Sequence, residues 1–348
     1  MPVPLARRCV RMGSMAEPST TRPSQIRAWL QLMRIANLPT AISNVAAGAI
    51  LPTAVHGTWN GWFTTKLVVM ATIMSAFLYT SGMILNDAFD AHVDSVERPN
   101  RPIPSGRIPR ATALKAGYSL MGFAIAAPIA LLLFQMATDA TQHLNTLLGL
   151  SGISILLAGF IILYNGPLKR TWLAAPAMGT CRALNVLLGA SITAPDYSSQ
   201  WYSSFYDQSW FWYSLSIGLF VCGITLLARS ESKQKQSRLW LGIGATTMLA
   251  AVWMLASHIP KGTALTVKQV YWAMLSIIAF PIVRRLFVAV KTAKPPLVGA
   301  AIVASLSSLI FLDAAVCFLV RPDQPLYAGA VALLIVPLMI LRKFSAQT

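Results

Sequence analysis

The sequence predicts an all-α fold, a polytopic membrane helical bundle of about nine to ten transmembrane helices. Three observations carry that expectation. Hydrophobic residues make up 55% of the 348 and charged residues only 11%, where soluble domains average about 25% charged. The mean hydropathy is +0.60. Apolar runs of the roughly 20 residues that cross a hydrocarbon core recur from residue 35 to the C-terminus, separated by short polar loops.

In chain order the spans are expected near 35–55, 67–88, 112–135, 146–165, 172–193, 210–229, 239–257, 269–290, 297–320 and 326–341. Residues 1–28 precede them, Arg-rich and polar, without the apolar stretch of a secretory signal. They are expected to form a disordered basic cytoplasmic tail, with 29–348 as a single transmembrane domain. With the N-terminus inside, 23 of the 28 Lys and Arg fall on inner segments. Lys66, Lys261, Lys268 and Arg321 lie outside, and Arg182 lies within a span. That asymmetry is the positive-inside signature and puts both termini in the cytoplasm. The net charge of +17 then reflects topology and attraction to anionic lipid, with no nucleic-acid signal. The expected location is a bacterial inner (plasma) membrane.

Minor features fit the same frame. Pro281 is expected to kink the eighth span. The outer segment 194–210 holds Tyr197, Trp201, Tyr202, Phe205, Tyr206 and Trp210, an interfacial aromatic belt. Cys9, Cys181, Cys222 and Cys317 show no disulfide or metal spacing, and the last three read as small buried hydrophobes. Asn37 and Asn44, spaced i and i+7, either line a cavity or bond another helix.

Chemistry concentrates in "LNDAFDAHVDSVERPNRPIPSGRI", residues 85–108. Four of the chain's 11 acidic residues (Asp87, Asp90, Asp94 and Glu97) fall here. If the second span's helix continues, the three aspartates sit at i, i+3 and i+7 on one face. Like charges so placed repel, and near a membrane each is costly. A hard divalent cation relieves both costs. Mg²⁺ suits one or two carboxylates plus substrate phosphate oxygens, and Asn86 can add a neutral oxygen. The plainer alternative is a solvated helix end pairing with its Arg neighbours.

"NDAFDAHVD" matches the NDxxDxxxD pattern of the UbiA superfamily of intramembrane prenyltransferases, and "RPNRPIPSGRI" resembles the segment that follows it. "YNGPLKR", residues 164–170, is similar to the same superfamily's Tyr…Lys-Arg segment. The resemblance covers almost the whole chain from about residue 30. It implies about nine helices around a central cavity, with a polyprenyl diphosphate held at the cytoplasmic rim through Mg²⁺ and its tail in an apolar tunnel. A lipophilic, aromatic acceptor would then receive the prenyl group. Under that reading Asp87, Asp90 and Asp94 hold Mg²⁺, with Asn86 beside them. Arg98, Arg101, Lys169 and Arg170 clamp phosphate oxygens, since charge growing on a leaving diphosphate is stabilised by preorganised cations. Tyr164 either faces the carbocation or anchors a helix end at the interface.

The chain departs from the superfamily after the sixth span. A second DxxxD motif is expected following an Arg, but "GITLLARSESKQKQSR", residues 223–238, offers Arg229, Glu231, Lys233 and Lys235. The two lysines could replace a second metal, or the site could bind an isoprenoid without ionising it. "APAMGTCRALNVLLGAS", residues 175–191, and "TLLARSE" resemble the EboC-like branch, whose members are described as UbiA-like proteins proposed to handle or export a precursor. Within that stretch Arg182 lies mid-span, where an unpaired charge costs roughly 2.5–3.5 kcal/mol, with Asn185 on the same face. Two readings stay open: pairing with Asp313, the other mid-span charge, or recognition of a substrate headgroup.

Overall fold

A computed structural model describes residues 25–53, 61–138, 144–193, 209–231 and 237–346. The amphipathic helix α1 (Gln25–Leu32) and a 3-10 turn (Ile35–Asn37) lead into α2 (Leu38–Ile50). Then follow α3 (Gly61–Phe89), the short α4 (Ala91–Glu97), α5 (Arg110–Ala137), α6 (Leu144–Asn165) and α7 (Ala174–Thr193). The second half comprises α8 (Ser209–Glu231), α9 (Arg238–Ser257), α10 (Leu265–Thr292), α11 (Pro295–Val320), α12 (Pro325–Leu333) and α13 (Ile335–Ala346). The described residues are all-helical, as expected.

Among the described residues, eight segments are long and apolar enough to cross a membrane, with α12 and α13 counted together. The other two expected crossings are the 3-10 turn with α2, which is short, and α7. Most residues of α2 and α7 are buried in protein, so they need not match lipid on every face. α10 remains helical through Pro281. The last crossing breaks at Leu334 instead. Pro337 has no N–H to donate and its ring would clash with the carbonyl of Leu333, four residues earlier. Helix α1 runs across the expected tail boundary at residue 28, and Ala28 is fully buried. Residues 1–24 and the aromatic segment 194–208 lie outside the described residues.

α7 is the hub, packed against α2, α3, α6 and α8. Small residues let it come that close, which is how helices associate in lipid without a hydrophobic driving force. A Cβ built on Gly48 of α2 would lie 2.1 Å from the Val186 carbonyl oxygen of α7, and one on Gly189 2.1 Å from that of Val45. The contact is reciprocal. Leu78, Leu85, Met121, Leu147 and Leu157 belong to a core on one side of the hub; Ile217, Phe220, Met248, Leu275 and Leu312 belong to one on the other. A third, smaller core joins Leu32, Ile84, Ile103, Ile108 and Ala113 beneath the acidic stretch. That core seats the loop carrying the site.

Arg342 of α13 donates to Asn37 Oδ1 at 3.1 Å. At the other ends of their helices, Arg321 after α11 reaches Thr53 just past α2 at 3.5 Å. The start of the first crossing and the end of the last therefore share one rim, and it is the rim that carries the aspartates.

Candidate functional site at the acidic rim

α3 does not run straight through the acidic stretch. It ends at Phe89, and Asp90 becomes the N-cap of α4 with φ −80° and ψ −2°; Asp favours such boundaries over helix interiors. α4 stops at Arg98, before Pro99. The bend separates the tasks of the three aspartates. Asp87 Oδ1 accepts from Arg34 at 2.8 Å, Asn86 Nδ2 at 3.1 Å and Arg101 at 3.3 Å. Asp94 is 3% exposed and accepts from Arg101 at 2.6 Å. Asp90 Oδ2 accepts from Lys169 Nζ at 2.5 Å, and the same ammonium donates to Asn86 Oδ1 at 2.7 Å. Arg101 thus bridges Asp87 and Asp94, while Asp90 turns to Lys169. Among the described residues no three His, Cys, Asp or Glu are grouped to hold a metal.

The donor set nonetheless suits a hard cation. Asn86 Oδ1 and Asp90 Oδ2 already converge on one positive charge, the Lys169 ammonium, and oxygen donors of this kind are what Mg²⁺ takes. Asp94, 3% exposed, meets Asp87 through the shared Arg101 guanidinium.

The loop 98–109 is tied down by its own bonds. Ser105 Oγ donates to the Arg101 carbonyl at 2.7 Å, and Arg107 donates to the Asn100 carbonyl at 2.6 Å. Gly106 takes φ +72° with open space around it, a conformation that favours glycine. Arg110 donates to the Ala88 carbonyl at 2.8 Å, satisfying an end of α3. Arg98 and Arg170 are exposed at this rim. Arg229 donates to the Thr171 carbonyl and so links α8 to the loop after α6. Lys233 lies outside the described residues, as does the side chain of Glu231.

Arg34 carries no sequence motif, yet it is the nearest partner of Asp87. It adopts φ 46° and ψ 43°, the left-handed region uncommon for a residue with a side chain. Burial pulls its pKa down, but the Asp87 carboxylate, with Tyr79, outweighs that and holds it above the ordinary value.

Below the rim lies a cavity between α2, α3, α6 and α7, open on one side, with about 550 Å³ of empty space that includes its opening to solvent. One stripe of α3 lines it at Ser75, Tyr79 and Met83 and continues into Asn86, Asp87 and Asp90. Ser75 and Asn86 are about 16 Å apart at 1.5 Å per residue. Tyr164 lines the mouth, within electrostatic reach of Arg34, Asp90 and Arg229. Asn165 also lines it: Nδ2 donates to the Gly82 carbonyl at 3.1 Å, which leaves Oδ1 buried without a partner. Arg182 and Asn185 line the inner part. Asn185 accepts from Ser75 at 2.6 Å and donates to the Ala41 carbonyl at 2.9 Å. Arg182 does not touch Asp313. It donates to Asn44 Oδ1 at 3.2 Å and Thr40 Oγ1 at 3.1 Å, and Asn44 in turn donates to Asp313. Sequence reasoning missed Arg34, Thr40, Ser75, Tyr79 and Asn165.

A model of the UbiA prenyltransferase family matches residues 46–294. A digeranylgeranylglyceryl phosphate synthase of Methanopyrus kandleri is 34% identical over 124 residues, which are 35% of this chain and 41% of that protein. The one of Ignicoccus hospitalis is 27% identical over 176 residues, 51% and 50% of the two chains. For that of Saccharolobus solfataricus the values are 29% over 102 residues, 29% and 34%. The chain therefore spans between about a third and a half of these relatives' length. They speak for the broad family and do not single out the EboC-like branch. Among solved structures, a UbiA homologue from Aeropyrum pernix superposes with TM-score 0.56 at 14% identity, covering 80% of this chain and 96% of that one. A chain from a structural study of digeranylgeranylglyceryl phosphate synthase in membranes gives 0.54 at 15%, covering 86% and 99%. At such identities the likeness is one of fold.

Proposed function

The chain belongs to the UbiA prenyltransferase family, and from that premise we propose that it moves a polyprenyl group from a prenyl diphosphate to a lipophilic acceptor inside the bundle. The observation that carries this reading is the convergence of Asn86 Oδ1 and Asp90 Oδ2 on the Lys169 ammonium, directly above a cavity lined by the same face of α3. Arg34, Arg98, Arg101, Lys169 and Arg170 form the basic rim that binds the diphosphate. Asp87, Asp90 and Asp94, with Asn86 beside them, would hold Mg²⁺, which would supply electrostatic stabilisation of the departing diphosphate. The allylic C–O bond breaks with its electron pair leaving on the diphosphate, and Lys169 and the arginines take up that charge. The apolar cavity wall excludes water as a competing nucleophile, and the Tyr164 ring at the mouth faces the cationic carbon.

For the acceptor, the rings of Tyr79 and Tyr164 support the aromatic class expected from the sequence, while the relatives' name carries a glyceryl phosphate. Arg182, Asn185 and the unpartnered Asn165 Oδ1 favour an acceptor with a polar head in either class. The basic inner segments support a cytoplasmic position for the acidic rim. The membrane is a plasma membrane, bacterial as expected from the sequence or archaeal as in the relatives.

A second reading, an isoprenoid binder or precursor transporter without turnover, is favoured by one feature. After Arg229 the sequence holds Glu231 and lysines where a second aspartate pair is expected, and the EboC-like likeness of 175–191 points the same way. Incubating the full-length protein with labelled prenyl diphosphates, Mg²⁺ and both acceptor classes separates the two. Prenylated product supports the transferase; tight binding without product supports the transporter.

A further inference from the structure

A fully buried carboxylate takes no part in the mechanism above. Asp313, on α11, is 0% exposed. Both its oxygens accept from Asn44 Nδ2 at 2.9 Å, and Oδ1 also accepts from the Tyr213 hydroxyl. The Asn44 amide nitrogen can only donate to it, and the Tyr213 hydroxyl is placed to do the same.

Asn44 has its orientation fixed by this arrangement. Its amide nitrogen must face Asp313, so its carbonyl oxygen must face the other way, where it accepts from Arg182 Nη1 at 3.2 Å. Thr40, one turn earlier on α2, accepts from Nη2 at 3.1 Å. The guanidinium also lies over the Tyr79 ring, 5.8 Å from its centroid. These bonds engage two of the five N–H groups that a guanidinium carries. Arg182 is 9% exposed and lines the cavity, and its remaining N–H groups have no hydrogen-bond partner among the described residues.

We propose that Asp313 is a positioning residue which, through Asn44, holds the Arg182 guanidinium as the receptor for an oxyanion headgroup, phosphate or carboxylate, at the inner end of the cavity. Direct contact between Arg182 and Asp313 would neutralise the guanidinium and draw it out of the cavity. With the amide of Asn44 between them, the negative charge stays on the far side of α2. Its field still favours the cation, but the guanidinium's free edge is left for a ligand. The rim and Arg182 then give the cavity two anion stations, one for the diphosphate and one for the acceptor's head.

This rests on the proposed function in taking the cavity as the acceptor's site, but its test needs no turnover. Full-length protein in detergent is titrated with geranylgeranylglyceryl phosphate, with 4-hydroxybenzoate, and with uncharged geranylgeranylglycerol. Wild type is expected to bind at least one anion at least tenfold tighter than the neutral ether, and the arm that does so identifies the headgroup. Arg182→Gln should abolish that preference. Asp313→Asn places an amide against the Asn44 nitrogen, so Asn44 turns and offers Arg182 a donor instead of an acceptor. It should cut the preference at least fivefold in wild type and change nothing further in the Arg182→Gln background. Asn44→Ser runs the same cycle should Asp313→Asn fail to accumulate in membranes. No anion preference in wild type, a preference that survives Arg182→Gln, or equal losses in both backgrounds would each overturn the proposal. Absence of diphosphate release would defeat the transferase reading alone, leaving these binding ratios intact.

Discussion

Lys169 Nζ lies 2.7 Å from Asn86 Oδ1 and 2.5 Å from Asp90 Oδ2, so a side chain from the loop after α6 fills the point where two oxygens of the α3–α4 bend converge. An ammonium and a divalent cation compete for the same donors. Lys169→Ala should therefore tighten Mn²⁺ binding to the substrate-free protein, while Asp90→Asn should weaken it; Mn²⁺ titration followed by electron paramagnetic resonance reads both. With substrate present, Lys169→Ala should slow diphosphate release by about 100–1,000-fold, the scale of losing one oxyanion donor. Unchanged metal affinity in Lys169→Ala would argue that the ammonium and the metal occupy different places.

Arg34 pairs with Asp87 and belongs to the basic rim. Hydrogen bonds to charged groups contribute about 1.5–3 kcal/mol. Arg34→Ala should then raise the Kd of a non-hydrolysable prenyl diphosphonate by roughly 10–100-fold, measured by calorimetry. An unchanged Kd would confine Arg34 to holding Asp87.

The α2–α7 crossing admits no side chain at Gly48 or Gly189. Gly48→Ala should destabilise the bundle by about 1–3 kcal/mol through overpacking, seen as a lower Tm in detergent. Gly122→Ala, where an added Cβ meets open space, should leave Tm within about a degree or raise it, as expected for an exposed helix interior.

Arg342 meets Asn37 at the acidic rim. A topology reporter fused after Arg342 should therefore report the same side as one fused within the loop 98–109. Opposite sides would remove one crossing and contradict the even count.

The spans were legible because the ~20-residue apolar period is imposed by the bilayer. α2 and α7 were legible too, though Arg182 and Asn185 dilute the apolar signal. The break at Leu334 was not anticipated, since Pro337 acts on a carbonyl four residues away inside an otherwise apolar run. At the site, Asp87, Asp90 and Asp94 stand out because acids are scarce in this chain, and Asn86 and Lys169 through the family-like segments that carry them. Asp94 keeps the company of Asp87 through the shared Arg101 guanidinium, while Asp90, at the bend, goes to Lys169. Arg34 looked like any basic residue ahead of a span. The chain Arg182–Asn44–Asp313 joins α7, α2 and α11 across more than a hundred residues of sequence. Of the two readings open for Arg182, the direct pair with Asp313 gives way to a link through the Asn44 amide, which only the fold brings between them.

A transferase of this design must ionise a prenyl diphosphate in this cavity. The most direct measurement of that step is diphosphate release by the full-length protein supplied with labelled prenyl diphosphates of several chain lengths, Mg²⁺ and both acceptor classes. Wild type should release diphosphate as it prenylates the acceptor, and that release should be lost on chelation of the metal and reduced at least 100-fold by Asp90→Asn. Tight binding of the prenyl diphosphate by wild type without release at any chain length would contradict the transferase reading.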